Sequence, residues 1–258
     1  MKPLLLFIIP FLWIFSPVQL FSQERTTDPD QARTVFKEME DRRSSISTET
    51  AQVQMVITDS RNRTRERTFQ SWSQYEDGDS KTLIIFEQPG NIRGTGFLNT
   101  DENGVRTQRL FLPSVGRIQT ISSSERGDRF MGSDFTYEDL DTQYADDYDF
   151  EWLETGTALY TIRASKMESD QYAYLEFDID RNTYTATEIR YFDSNETMIK
   201  QLISEDFEQV SDLLWSPAKM TMFDLLENRH TELLWIQREI NVPVESWKFT
   251  ERGLRRGI

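Results

Sequence analysis

Apolar and polar residues alternate over most of this chain. The clearest stretch is Gly104 to Leu140, GVRTQRLFLPSVGRIQTISSSERGDRFMGSDFTYEDL. Val105, Thr107, Arg109 and Phe111 fall on one parity, and Arg106, Gln108, Leu110 and Leu112 on the other. A period of two is the signature of a β-strand, and Pro113 with Gly116 closes it. A short strand, Arg117 to Ile121, follows, then a polar loop, Ser122 to Arg129, broken at Gly127. Phe130, Met131, Phe135 and Tyr137 come next, mixed with Gly132, Ser133 and Asp134. That mixture is too polar for a core strand and too apolar for a free loop. It predicts a flap closing over an apolar interior.

Upstream, Ala32, Val35, Phe36 and Met39 recur at helical spacing within Asp28 to Arg43, with Asp28 or Asp30 as cap and Pro29 early. From Ala51 the period changes to two. Val53, Met55 and Ile57 alternate with polar neighbours, and a long strand is predicted over Thr64 to Tyr75. Lys81 to Gln88 carries a solid apolar centre, Leu83-Ile84-Ile85-Phe86. Gly94 and Gly96 suit a bend in a curved sheet better than a phosphate loop, because no helix follows them. The second half predicts strands over Ala158 to Ala164, Tyr172 to Ile179, Thr183 to Phe192, Met198 to Phe207, Trp215 to Leu225 and Thr231 to Ile240. Turn residues separate them at Asp59-Asn62, Glu76-Asp79, Asp101-Gly104, Asp180-Asn182, Asp193-Glu196 and Glu227-Arg229. Strands at intervals of about 12 to 16 residues without helical crossovers mean an antiparallel meander, not a parallel α/β sheet. Pro243 and Trp247 open a tail that packs across the sheet, and Glu251 to Ile258 is expected to fray.

The run RLFLPSVGRI, followed by RFMGSDFTYEDL and preceded by PGNIRGTGFL (Pro89 to Leu98), resembles the LolA-like family of outer-membrane lipoprotein-sorting proteins. The resemblance lies with the branch that contains a treponemal phospholipid-binding lipoprotein, and it extends over roughly Ala51 to Val244. It implies a mainly β (α+β) fold: a strongly curved antiparallel sheet forming an unclosed barrel, with a few helices covering its mouth. It also implies a carrier that binds lipid or lipoprotein acyl chains in the periplasm. No catalytic residue and no cofactor comes with it.

The first 22 residues stand apart. Lys2, the apolar run Leu4 to Phe15 and Ser22 predict a secretory signal peptide, leaving residues 23–258 as one half-barrel domain. The run is broken by Pro10 and Pro17 and is short for the roughly 20 residues of a membrane span. The chain has no cysteine, so lipoprotein thioether attachment has no acceptor and no disulfide framework exists. With 29 basic and 44 acidic residues the formal charge is −15, and −16 without Lys2 of the signal peptide. Such a field disfavours nucleic acid and anionic bilayers.

Candidate chemistry is sparse. His230 is the single histidine, lies beside a turn and has no second histidine with which to share a metal. No G-x-S-x-G elbow accompanies it. The acids between Glu138 and Glu154 lack the glycine and ligand spacing of an EF-hand, which argues against calcium, and Tyr144, Tyr148, Phe150 and Trp152 interleave with them, which predicts a loop tucked against the domain. Arg61, Arg63, Arg65 and Arg67 share one parity: either a grip for a lipid phosphate or an acidic partner, or the solvated face of an edge strand. Trp72, on the other parity, is expected to point inward.

The candidate lining of an apolar cavity is Met55, Trp72, Ile85, Phe97, Leu110, Leu112, Leu175, Phe177, Met198 and Met222, with Phe130, Met131, Phe135 and Tyr137 as cover. On composition alone these are ordinary core residues; the family resemblance favours the cavity. The expected protein is therefore a non-enzymatic, monomeric carrier without metal or cofactor. The rival readings are an accessory protein docking on an inner-membrane transporter, and a hydrolase.

Overall fold

The computed structural model describes residues 28–153, 156–167 and 171–256. The expected signal peptide lies outside them. The described strands form one antiparallel sheet of 13 strands, curved but not closed into a barrel. Strands β1 (Thr48–Thr58), β2 (Thr64–Glu76), β3 (Asp79–Gln88), β4 (Gly96–Glu102), β5 (Val105–Leu112) and β6 (Arg117–Thr120) walk from the middle of the sheet to one edge. Strands β7 (Tyr148–Trp152), β8 (Leu159–Lys166), β9 (Tyr174–Asp180), β10 (Ala186–Phe192), β11 (Met198–Gln209), β12 (Trp215–Asp224) and β13 (Arg229–Ile240) start at the opposite edge and walk back. The two meanders join where β13 pairs with β1.

This order dictates the path of residues 121–147. They leave the sheet at one edge and must re-enter at the other, so they have to cross a face. They cross the concave one, where Phe130, Phe135 and Tyr137 enter the main core. Helix α1 (Pro29–Arg43) covers the β7 side of the same face. Asp28 caps it by accepting from the Gln31 N–H at 3.1 Å, and Ala32, Val35 and Phe36 are its buried stripe. The Phe36 ring meets Phe150 at 5.1 Å and Phe177 edge-on at 5.4 Å.

Local chemistry sets the hairpins. Asp77-Gly78 and Asn103-Gly104 place both central residues at positive φ (49° and 88°; 53° and 74°). That is the type I′ pattern whose twist matches antiparallel strands.

The convex face carries a second core. Leu83, Ile85 and Leu98 pack against Phe249 and Leu254, with Trp72 and Phe111 at the margin. Residues Glu251–Arg256 form helix α2 and Leu254 is fully buried, so the described part of the tail does not fray as expected. Gly96 permits the docking: a Cβ there would fall 2.7 Å from the Leu254 Cδ1 and 2.8 Å from its carbonyl oxygen. Its role is close approach rather than a bend. Two further corrections concern strands. Tyr148–Trp152, expected as a loop, is edge strand β7. Arg65 and Arg67 lie not on an edge strand but in an interior one, although Thr64–Arg67 pairs with β1 beyond the point where β3 ends.

Candidate functional site

The tip of the crossing segment turns tightly, with Met131 and Gly132 at φ 51° and 74°. Phe130 is fully buried, its ring 5.1 Å from Phe97 and 5.8 Å from Tyr137. A charge network latches this tip to the β12–β13 hairpin. The buried Asp134 carboxylate lies 2.7 Å from the Arg129 guanidinium and 2.6 Å from that of Arg229, and accepts from the Thr231 hydroxyl at 2.6 Å. Arg129 also reaches Asp224 at 2.6 Å. Arg229 donates to the Gly132 carbonyl at 2.8 Å, and Arg67 donates to the carbonyl of Met131. Arg67 therefore serves the flap, beneath which it is half-buried.

The returning part of the segment is held by side chains from both halves of the sheet. Gln108 donates to the Tyr137 carbonyl and to Asp141, both at 2.8 Å, and Asn99 to the Leu140 carbonyl at 3.0 Å. Lys200 lies 3.2 Å from Asp139, which also accepts from the Tyr172 hydroxyl at 2.9 Å. Burial first, then the Asp139 charge, pushes the Tyr172 phenol far above its usual range. Burial likewise raises the Asp141 carboxyl, although Arg126 and Lys166 pull against it. The acids from Glu138 onward thus meet bases: Glu138 meets Lys166 at 3.3 Å and Asp147 meets Arg106 at 2.7 Å. No group of three or more His, Asp or Glu positioned for a metal occurs among the described residues. His230 pairs across the sheet with Phe223, the rings 5.6 Å apart.

Beneath the flap and α1 lies a cavity of about 410 Å³. Its floor, toward the latch, is lined by Met55, Phe69, Phe97, Phe130, Phe135 and Leu233. Side chains shrink along the strands away from that end: Ser71 and Ser73 follow Phe69 on β2, and Thr82 lies beyond Ile84 on β3. The mouth, where lining residues are only partly buried or exposed, is framed by Arg43, Glu49, Tyr75, Trp215, Trp235 and Arg238. The volume falls within the roughly 300–1,000 Å³ of small-molecule sites.

Five of the sequence candidates meet at this cavity: Met55, Phe97, Phe130, Phe135 and Phe177. Leu110, Tyr137, Leu175 and Met222 are buried in the same core behind the lining, and Leu112 and Met131 pack against it. Met198 is half-buried away from the cavity. Trp72 and Ile85 belong to the convex core. The reason is register: Val53 faces in and pairs with Phe69, so the odd positions of β2 face in and Trp72, opposite Leu83, faces out. The mouth residues Arg43, Trp215, Trp235 and Arg238 were not anticipated. The facing of Trp235 against Val53 depends on a bulge in the β1–β13 pairing that shifts the register at Gln52/Val53.

Residues 78–256, more than half of the chain, match the model of a protein family described as "Uncharacterized protein". No curated protein matches the chain. Among solved structures, a domain from Vibrio parahaemolyticus named as an outer membrane lipoprotein-sorting protein superposes with a TM-score of 0.84 at 24% identity, covering 89% of this chain and 100% of that one. A DUF1329 family protein from Desulfovibrio piger gives 0.81 at 20% identity, with 88% and 98% covered. A LolA superfamily protein from Nitrosomonas europaea gives 0.68 at 14% identity, with 85% and 97% covered. The chain belongs to the family whose model it matches, and its open sheet of 13 strands is the LolA-like fold shared with outer membrane lipoprotein-sorting domains.

Proposed function

We propose that this protein is a periplasmic carrier or receptor that holds lipid or lipoprotein acyl chains during sorting to the outer membrane, without catalysing a reaction on them. The observation that carries this reading is the unfilled, largely apolar space of about 410 Å³ between the sheet, α1 and a latched flap. A buried methylene is worth about 0.8 kcal/mol, so keeping an acyl chain of roughly 14 methylenes in water costs on the order of 11 kcal/mol. A protein that moves such a chain through an aqueous compartment needs a dry hollow of this kind. The name borne by the Vibrio domain supports the same class of cargo. Loading would come from a donor at the inner membrane and release to an acceptor at the outer one.

Native mass spectrometry of gently purified protein tests the reading. Lipid adducts are expected on the wild type. In Phe135→Asp, a charge placed on the cavity floor should lower lipid content by more than half, with Phe135→Ala as a milder companion that keeps the circular dichroism of the wild type. Wild-type protein without lipid, or lipid content unchanged in both variants, would overturn it.

A further inference from the structure

We infer that the cavity selects amphiphiles with an anionic head, and that Arg238 and Arg43 at the mouth bind that head while the hydrocarbon runs toward Phe130 and Phe135. The inference rests on the carrier reading and adds the chemical class of the cargo.

Most carboxylates that line the cavity are already matched. Glu40 lies 2.7 Å from Lys37, Asp139 3.2 Å from Lys200 and Asp141 3.0 Å from Arg126. At the mouth, two guanidiniums stand against one carboxylate, which pairs with only one of them. Arg238 sits 3.2 Å from Glu49. Arg43 has no ion-pair partner among the described residues and reaches the Tyr75 hydroxyl at 3.3 Å.

Arg238 supplies the more telling observation. Its side chain is 8% exposed. Nε faces Glu49 and Nη2 donates to the Pro217 carbonyl at 2.9 Å, while Nη1 is buried with no hydrogen-bond partner among the described residues. The Trp235 ring lies 5.1 Å from the guanidinium carbon and helps hold the group at the lining. A buried donor left unpaired is costly and rare. A carboxylate or phosphate oxygen satisfies it with the geometry a guanidinium prefers.

At the floor the guanidiniums already face a carboxylate or the flap: even the Arg229 Nε, which makes no hydrogen bond, lies 2.6 Å from Asp134. Arg67, Arg129 and Arg229 are committed to the flap tip and the Asp134 cluster. Head and tail therefore have assigned ends. A fatty acid or a phospholipid carries the required charge, whereas an acyl group joined to protein by an ester or amide does not.

The test uses delipidated full-length protein and displacement of a fluorescent probe by hexadecanoate, hexadecanol, a short-chain phosphatidylglycerol and the matching diacylglycerol. Hexadecanoate or phosphatidylglycerol should bind at least about tenfold tighter than its neutral counterpart, as expected for charge-assisted hydrogen bonds. The pair that shows the preference identifies the head as carboxylate or phosphate. Arg238→Gln and the exposed Arg43→Gln should each weaken the charged ligand far more than hexadecanol and so shrink that ratio toward one, and Arg238→Lys should restore part of it. Equal binding of charged and neutral ligands, or a ratio untouched by Arg43→Gln and Arg238→Gln alike, would overturn the inference and leave the carrier reading intact. Failure of all four ligands to bind would instead remove the carrier reading.

Discussion

The two faces of β2–β4 are built from alternate residues of the same strands, yet they end differently. Outward, Leu83, Ile85 and Leu98 are met by Phe249 and Leu254, and that contact is closed to the point that Gly96 cannot carry a Cβ. Inward, Phe69, Ile84 and Phe97 are covered by α1 and residues 121–147, yet a hollow remains. The inner face is no less apolar. It differs in how side-chain size is distributed: Phe69 gives way to Ser71 and Ser73 along β2, with Thr82 beside them on β3 and Ser204 on β11. The cover differs as well. The outer one is held by packing; the tip of the inner one is held at its margin by Asp134, Arg129, Arg229 and Asp224. A segment fastened at its edges can span a space that it does not fill.

The contrast breaks most sharply at Leu254. Truncation to alanine removes a fully buried side chain from a closed contact, and such changes cost about 2–5 kcal/mol. Urea unfolding should show that loss, while lipid content per folded molecule stays at the wild-type level. A proportional fall in lipid would mean that the two faces are not independent.

The opposite change sharpens the comparison from within. Ser71 lines the hollow, and its hydroxyl makes only a long contact of 3.4 Å to the Ala51 carbonyl. Ser71→Leu exchanges the hydroxyl for three carbons beyond Cβ, in space that is already empty, so stability should move by no more than about 1 kcal/mol in either direction. Lipid retention should fall by more than half. Unchanged retention would show that this part of the hollow is not where the cargo lies.

Much of the architecture is legible in the residues because the strands alternate and the turns use residues that tolerate positive φ, as at Asn103-Gly104. The flap is legible for another reason: large apolar groups sit in a segment too polar to be a strand. The facing of β2 and β3 is not legible. Where both faces of a strand are buried, as at Leu83-Ile84-Ile85-Phe86, alternation in hydrophobicity vanishes and parity carries no direction. Trp72 and Ile85 were misplaced for this reason, since the cover that claims them comes from the far end of the chain. Tyr148 and Phe150 do alternate with Asp149 and Glu151, but the surrounding acidic run reads as a loop. The mouth has no local signal at all. Arg43 and Arg238 approach one end of the cavity only because β1 pairs with β13.

A gentler contrast lies along the outer face itself. Over β2–β5 that face is apolar and covered; over β8–β10 it is an ion ladder of Arg163, Glu176, Asp178, Arg190 and Glu188. Burial works to raise the Asp178 carboxyl, but hydrogen bonds from Arg190 and Thr161, each at 2.8 Å, outweigh it and the net shift is downward. A carboxyl lowered by folding contributes stability that is present above its unfolded pKa of about 3.9 and is lost as pH falls through the folded value. Asp178→Asn should therefore be less stable than wild type at pH 7 by at most about 1 kcal/mol, because the ladder is only partly shielded from water. That gap should narrow as the pH drops below about 3.9. Thermal unfolding of both proteins at neutral and acid pH measures it, and lipid content should not respond. A gap of equal size at both pH values would mean that Asp178 supports the sheet through shape and hydrogen bonding rather than charge, and the outer face of the second meander would then differ from the first in composition but not in the kind of force that holds it.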